Sequence, residues 1–131
     1  MLIPQGKILW PTLFLVYADD ISNVVTSSIK MFADNSKIYR DINDGNDTLA
    51  LQSDLDCLEN WARGWQVKFN PQKCEVIRIT HRRDKSKHPY HACRISTELK
   101  SVNSCKDLGV YVSRDLSWSN HVHAIVNKQT K

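Results

Sequence analysis

The sequence predicts an α+β fold of short strands and helices, and three observations carry that expectation. Ile29–Tyr39 reads as two short strands with Asp34 and Asn35 at the tip, because Ile29, Met31, Ile38 and Tyr39 are β-formers flanking polar turn residues. Leu51, Leu55, Leu58, Ala62 and Trp65 recur at steps of 4, 3, 4 and 3, the apolar stripe of an amphipathic helix. Cys74–Thr80 is rich in β-branched residues and reads as a further strand. With 131 residues, 41% hydrophobic and 24% charged, the chain has the size of one domain and the composition of a globular protein.

Taken in order, Pro4-Gln5-Gly6 is a turn and Leu9–Tyr17 an apolar helix, with Pro11 in the first turn where a missing N–H costs little. Lys7 followed by Ile8–Ala18 has the outline of a signal peptide. Pro11 interrupts it, however, and Asp19-Asp20 follow without a small-residue cleavage site. The run is also shorter than the roughly 20 residues that span a bilayer. A buried helix and no membrane partner are expected, with polar Asp19–Ser28 closing the helix in a loop. Asp41–Asn46 is a loop, and the next helix should run from about Thr48 to Trp65 with Asp47 as its N-cap. Gly64 and Pro71 fit its end. Trp61 and Trp65 flank the leucine stripe and read as core residues, base stacking being the competing role. His81–His88 is a charged loop, a solvated one or a phosphate binder. Short strands are expected over His91–Ser96 and Asp107–Ser113, and an amphipathic helix over Trp118–Lys131. His121 and His123 alternate as a metal pair would, but no third ligand accompanies them.

Cys57, Cys74, Cys93 and Cys105 show no C-x-x-C spacing and lie in apolar or strand-like segments. They read as buried free thiols in a reducing compartment, hence an intracellular protein of the cytoplasm or nucleus. The net charge of +4 is unevenly spread: residues 1–60 carry 4 Lys/Arg against 9 Asp/Glu, and residues 61–131 carry 14 against 5. That division suits a cation site in one half and a polyanion surface in the other, and chance segregation on solvated faces would give the same counts.

Four segments carry a more specific signal. They are Ile3-Pro4-Gln5-Gly6 with the helix ending Leu13-Phe14-Leu15-Val16-Tyr17; Met31-Phe32-Ala33-Asp34-Asn35-Ser36-Lys37-Ile38-Tyr39; Trp61 with Trp65-Gln66-Val67-Lys68-Phe69-Asn70-Pro71-Gln72-Lys73-Cys74; and Lys106-Asp107-Leu108-Gly109-Val110 with Leu116-Ser117-Trp118 and His121. In this order and spacing they resemble the reverse transcriptase of non-LTR retrotransposons of the jockey and CR1 sort, over nearly the whole chain.

The resemblance implies a polymerase palm-like antiparallel sheet backed by helices, with palm over residues 1–80 and the end of the palm and start of the thumb over 81–131. It implies RNA-directed DNA polymerase chemistry on an RNA template, a DNA primer and dNTPs, with Mg2+ or Mn2+ as cofactor. Residue by residue, Pro4, Gln5 and Gly6 match the loop near template and incoming nucleotide. Asp34 matches the first metal-binding carboxylate, and Asn35 occupies the place of the second. Lys73 matches the lysine that protonates leaving pyrophosphate, and Leu108, Gly109 and Val110 match the hairpin supporting the primer end.

In two-metal phosphoryl transfer, carboxylates hold one ion that activates the primer hydroxyl and another that neutralises the triphosphate. Magnesium favours anionic oxygen ligands, and the Asn35 amide can coordinate only without charge. The family also carries an aspartate on a strand preceding the Pro-Gln-Gly loop. With Met1 only two residues before Ile3, that strand and the fingers are expected to be absent, leaving one carboxylate of three. Lys7 and Trp10 stand where small residues are usual. The expectation is a fragment without polymerase activity. A non-enzymatic nucleic-acid-binding module using the basic residues of 63–100, and a poorly folded relic with an unpaired sheet edge, are the competing readings.

Tyr17-Ala18-Asp19-Asp20 spells the catalytic turn of many reverse transcriptases, but it sits at the end of an apolar helix instead of between two strands. Strand-turn-strand context favours Asp34/Asn35.

Overall fold

The computed structural model describes residues 15–16, 19–32, 35–80, 89–92 and 97–129. They form a mixed α+β structure of helices and two-stranded sheets. Residues 15–16 and 19–22 are helical. Next come β1 (Ser28–Phe32), β2 (Asn35–Tyr39), helix α1 (Gly45–Gly64) and a single 3₁₀ turn at Pro71–Lys73. The strands β3 (Glu75–Ile77), β4 (His91–Ala92), β5 (Thr97–Glu98), β6 (Lys100–Val102), β7 (Ser104–Asp107) and β8 (Val110–Ser113) lead to helix α2 (Ser119–Gln129). The chain divides into two compact units, one reaching Phe69 and including His91–Thr97, the other Asn70–Tyr90 with Glu98–Lys131.

In the first unit β1 and β2 pair antiparallel with Ile29 opposite Ile38, Lys30 opposite Lys37 and Phe32 opposite Asn35. Ile29, Met31 and Ile38 share the half-buried face, as side-chain alternation requires. Helix α1 buries Leu58 and Ala62 from the expected stripe, and Ile21 in the same unit is only 1% exposed. Its N-cap is Asp44, three residues before the expected Asp47. Asp44 Oδ1 accepts the backbone N–H of Asn46 and Asp47 at 2.8 and 3.0 Å, so the helix starts at Gly45 and Asp47 falls in its first turn.

The helix also ends differently from the expectation. Val67 N–H donates to Ala62 O and Gln66 N–H to Arg63 O, a Schellman closure with Gln66 at φ 57° in the left-handed position glycine usually takes. Gly64 is the last helical residue and Trp65 the cap. Trp65 is 46% exposed and Trp61 half-buried, so the indoles border the core instead of filling it. Leu15 and Val16, the described part of the helix expected to be buried, are exposed. The Asp19–Ser28 loop is helical through residue 22, because Ser22 and Asn23 side chains return hydrogen bonds to Asp19 O and prolong the turn.

In the second unit β3 is shorter than the expected Cys74–Thr80 strand, because Asn70 caps the Pro71–Lys73 turn through Gln72 N–H and so delays its start. It pairs with β6 in parallel, against the antiparallel expectation, with Val76 opposite Ser101. The expected strand Asp107–Ser113 is instead split by a hairpin turn, and only Val110–Ser113 forms the second arm. Asp107 pairs with Val110, leaving Leu108 and Gly109 as a two-residue connection with φ of 47° and 89°, the positive pair of a type I′ turn. The amphipathic C-terminal helix forms as α2. Tyr90, Leu99 and Ser113 are buried in this unit. Cys57, Cys74 and Cys105 are not disulfide-bonded and are half-buried, not fully enclosed; Cys93 lies outside the described residues. Among the described residues no helix is long and apolar enough to cross a membrane.

Candidate functional site

The β1–β2 hairpin is the element on which the expected metal centre depends, and its base is fixed by a buried carboxylate from α1. Asp54 is 3% exposed. Its Oδ1 accepts from Thr26 N–H at 2.8 Å and its Oδ2 from Ser27 N–H at 2.8 Å, with Thr26 Oγ1 donating to the same group. These residues directly precede β1. Arg40, directly after β2, donates through Nη1 to Thr26 Oγ1 at 3.0 Å and pairs through Nε with Asp47 Oδ1 at 3.3 Å. Asp47 Oδ2 also accepts from Asn43 N–H. Both strands are thereby tied to α1 at the end away from the tip.

Burial acts to raise the Asp54 pKa, and the hydrogen bonds from Ser27 and Thr26 outweigh it, so the carboxyl lies below its ordinary 3.8. Asp47 is lowered chiefly by the Asn43 N–H bond, with burial opposing and Arg40 assisting. No feature of the sequence reading identified this network. Asp54 lies between Leu51, Leu55 and Leu58, where a helical period marks the buried face, and a carboxylate on that face was the available signal.

At the other end of the hairpin Asn35 is the exposed first residue of β2, paired with Phe32, one position inside the strand from the expected tip. Asp34, and Pro4, Gln5 and Gly6, lie outside the described residues. Lys73 is the exposed last residue of the 3₁₀ turn. Leu108 and Gly109 form the tip of the β7–β8 hairpin and Val110 opens β8. Lys73 and residues 108–110 belong to the second unit, Asn35 to the first. Among the described residues no three His, Cys, Asp or Glu side chains converge on a point, and Asn35 offers a neutral amide oxygen. The described residues do not by themselves fit a two-metal centre.

Asp20, the carboxylate of the second candidate turn, has a different task. Its Oδ2 accepts the indole N–H of Trp61 at 2.9 Å and of Trp65 at 3.2 Å. It stands in a helix and ties that helix to α1, while Tyr17 and Ala18 lie outside the described residues. His121, expected at most as a faint metal ligand, accepts Tyr111 N–H at Nδ1 and holds α2 on β8. The His81–His88 loop lies outside the described residues.

Over 92% of its length the chain is 26% identical to "RNA-directed DNA polymerase from mobile element jockey" of Drosophila melanogaster. It is 29% identical over 94% to the protein of the same description from Drosophila funebris. It is 28% identical over 92% to "Probable RNA-directed DNA polymerase from transposon X-element" of Drosophila melanogaster. The chain is distantly similar to the reverse transcriptases of non-LTR retrotransposons. It spans 14% of the length of each of these reverse transcriptases. No family model and no solved structure matches it.

Proposed function

We propose that this chain is a stretch of reverse-transcriptase palm, running into the start of the thumb after residue 80, whose metal-binding pair has lost a carboxylate. The observation carrying this reading is the β1–β2 hairpin. It leaves two residues between its strands, the second being Asp34, and Asn35 follows at once as the first residue of β2. The similarity to RNA-directed DNA polymerases runs over 92% of the chain and supports it. In this reading Asp34 is the remaining ligand for Mg2+ or Mn2+, Lys73 the acid for departing pyrophosphate, Pro4-Gln5-Gly6 the template loop and Leu108-Gly109-Val110 the primer support. Template, primer and dNTP are the partners, inside the cell.

An amide in place of a carboxylate removes one negative charge from a site that must hold two divalent cations. Primer extension with an RNA template, a DNA primer, dNTPs and either Mg2+ or Mn2+ is therefore expected to give no templated product above background. Template-dependent incorporation overturns the loss of activity. An experimental structure with residues 33–35 inside a continuous helix, or remote from the Pro4-Gln5-Gly6 loop, overturns the lineage itself.

A second reading, a nucleic-acid-binding remnant, is favoured by the exposed hairpin face, where Lys30 stands opposite Lys37 with exposed Phe32 and Tyr39 on either side. Lysines beside exposed aromatic rings suit a polyanion whose bases can stack. This reading expects binding that weakens steeply with salt and survives Asp34→Ala.

A further inference from the structure

The second unit contains a cleft that the polymerase reading does not use. Its volume is about 490 Å³, in the range of small-molecule sites, and every residue lining it is polar. We propose that it binds a phosphate monoester whose organic part carries hydroxyl groups, with Arg114 as the phosphate ligand.

Arg114 directly follows β8 and its backbone is pinned on both sides. Its N–H donates to Asn103 O at 2.8 Å, and its carbonyl accepts Thr80 N–H at 3.2 Å. The side chain is half-buried at the cleft, and no carboxylate among the described residues pairs with its guanidinium. A guanidinium at a polar cleft that makes no ion pair with a described carboxylate offers a planar fork of donors that matches phosphate oxygens. Ser117, just before α2, and Ser119, at its start, add hydroxyl donors, and Asn103 adds an amide.

Ser113 is 4% exposed and its Oγ accepts from Asn120 Nδ2 at 2.9 Å, fastening α2 to β8. Asp115 also lines the cleft, with Oδ1 accepting Ser117 N–H at 3.0 Å. A carboxylate accepts several hydrogen bonds at once. Its charge disfavours a bare dianion and favours a ligand with hydroxyl donors at the end away from the phosphate. The cleft is also far larger than one phosphate group needs.

The test is a titration of the full chain, followed by amide NMR, with ribose 5-phosphate, inorganic phosphate and ribose as separate probes. Ribose 5-phosphate is expected to give saturable shifts at Arg114, Ser117 and Ser119, inorganic phosphate weaker ones and ribose none. Arg114→Ala is expected to weaken ribose 5-phosphate binding about tenfold while spectral dispersion is retained. Absence of saturable shifts, equal binding of ribose, or undiminished binding by Arg114→Ala overturns the proposal. Should Arg114→Ala unfold, Arg114→Lys is read in its place: several-fold weaker binding supports the guanidinium fork, and full affinity overturns its assignment.

Discussion

The β1–β2 and β7–β8 hairpins share a plan and differ in what holds them. Each is an antiparallel pair with two residues between its strands. The first is fastened at its base, by Asp54 and Arg40, to a helix whose carboxylate lies 28 residues from Thr26. The second is specified at its tip, by the left-handed Leu108-Gly109 turn, and braced on one strand by Asn120 and His121 from the adjoining helix. A tertiary polar clamp and a local turn thus reach the same strand pairing by separate routes. The first route places the fastening at the base of the hairpin, and the second places conformational strain at the tip.

The largest test of this contrast is Asp54→Ala. Removing the carboxylate strands two backbone N–H groups and the Thr26 hydroxyl, at a cost on the order of 3 kcal/mol. Urea unfolding should show the drop in midpoint. A change within about 0.5 kcal/mol, the scale of ordinary surface substitutions, would break the claim that the base holds the first hairpin.

The same clamp sets an acid limit. Because the folded Asp54 pKa lies below its ordinary 3.8, the unfolded chain binds more protons between those two values. The associated stability is complete above about pH 5 and is lost as pH falls through the folded value. Asp54→Asn should flatten stability against pH in that window, and an unchanged slope would assign it to other carboxylates. Asp20→Ala, which leaves the Trp61 and Trp65 indoles without their acceptor, should cost about 1 kcal/mol and move the tryptophan emission.

The smallest effect sharpens the other side. Leu108→Gly relieves a side chain at φ 47° and should stabilise by about 0.5–1 kcal/mol, read as a higher unfolding midpoint. Gln66→Gly, at φ 57° beyond α1, should gain a similar amount as the control outside either hairpin. Destabilisation at both positions would show that their side chains supply more than the strain removes.

Periodicity and β-propensity, both properties of neighbouring residues, were sufficient to locate α1, the first hairpin and α2. They failed where two local signals competed. Asp44 and Asp47 are both good caps, and only the donated N–H groups show that Asp44 is used. Asp107–Ser113 reads as one strand because Val110, Tyr111 and Val112 are consecutive β-formers, yet the Leu108-Gly109 turn leaves Asp107 at the end of β7. The α1 stripe was legible, while the burial of Asp54 within it was not, since a carboxylate enters a core only when distant donors converge on it.

By itself the sequence determined the α+β class, the likeness to reverse transcriptases and the amide standing at position 35, because each is written in residue identity and spacing. Tertiary structure alone decided that Asp54 anchors the hairpin, that Asp20 serves two indoles and that β3 runs parallel to β6. Those outcomes depend on which donors and strands meet across long stretches of chain. Local pattern carries no record of such meetings until the backbone has closed around them.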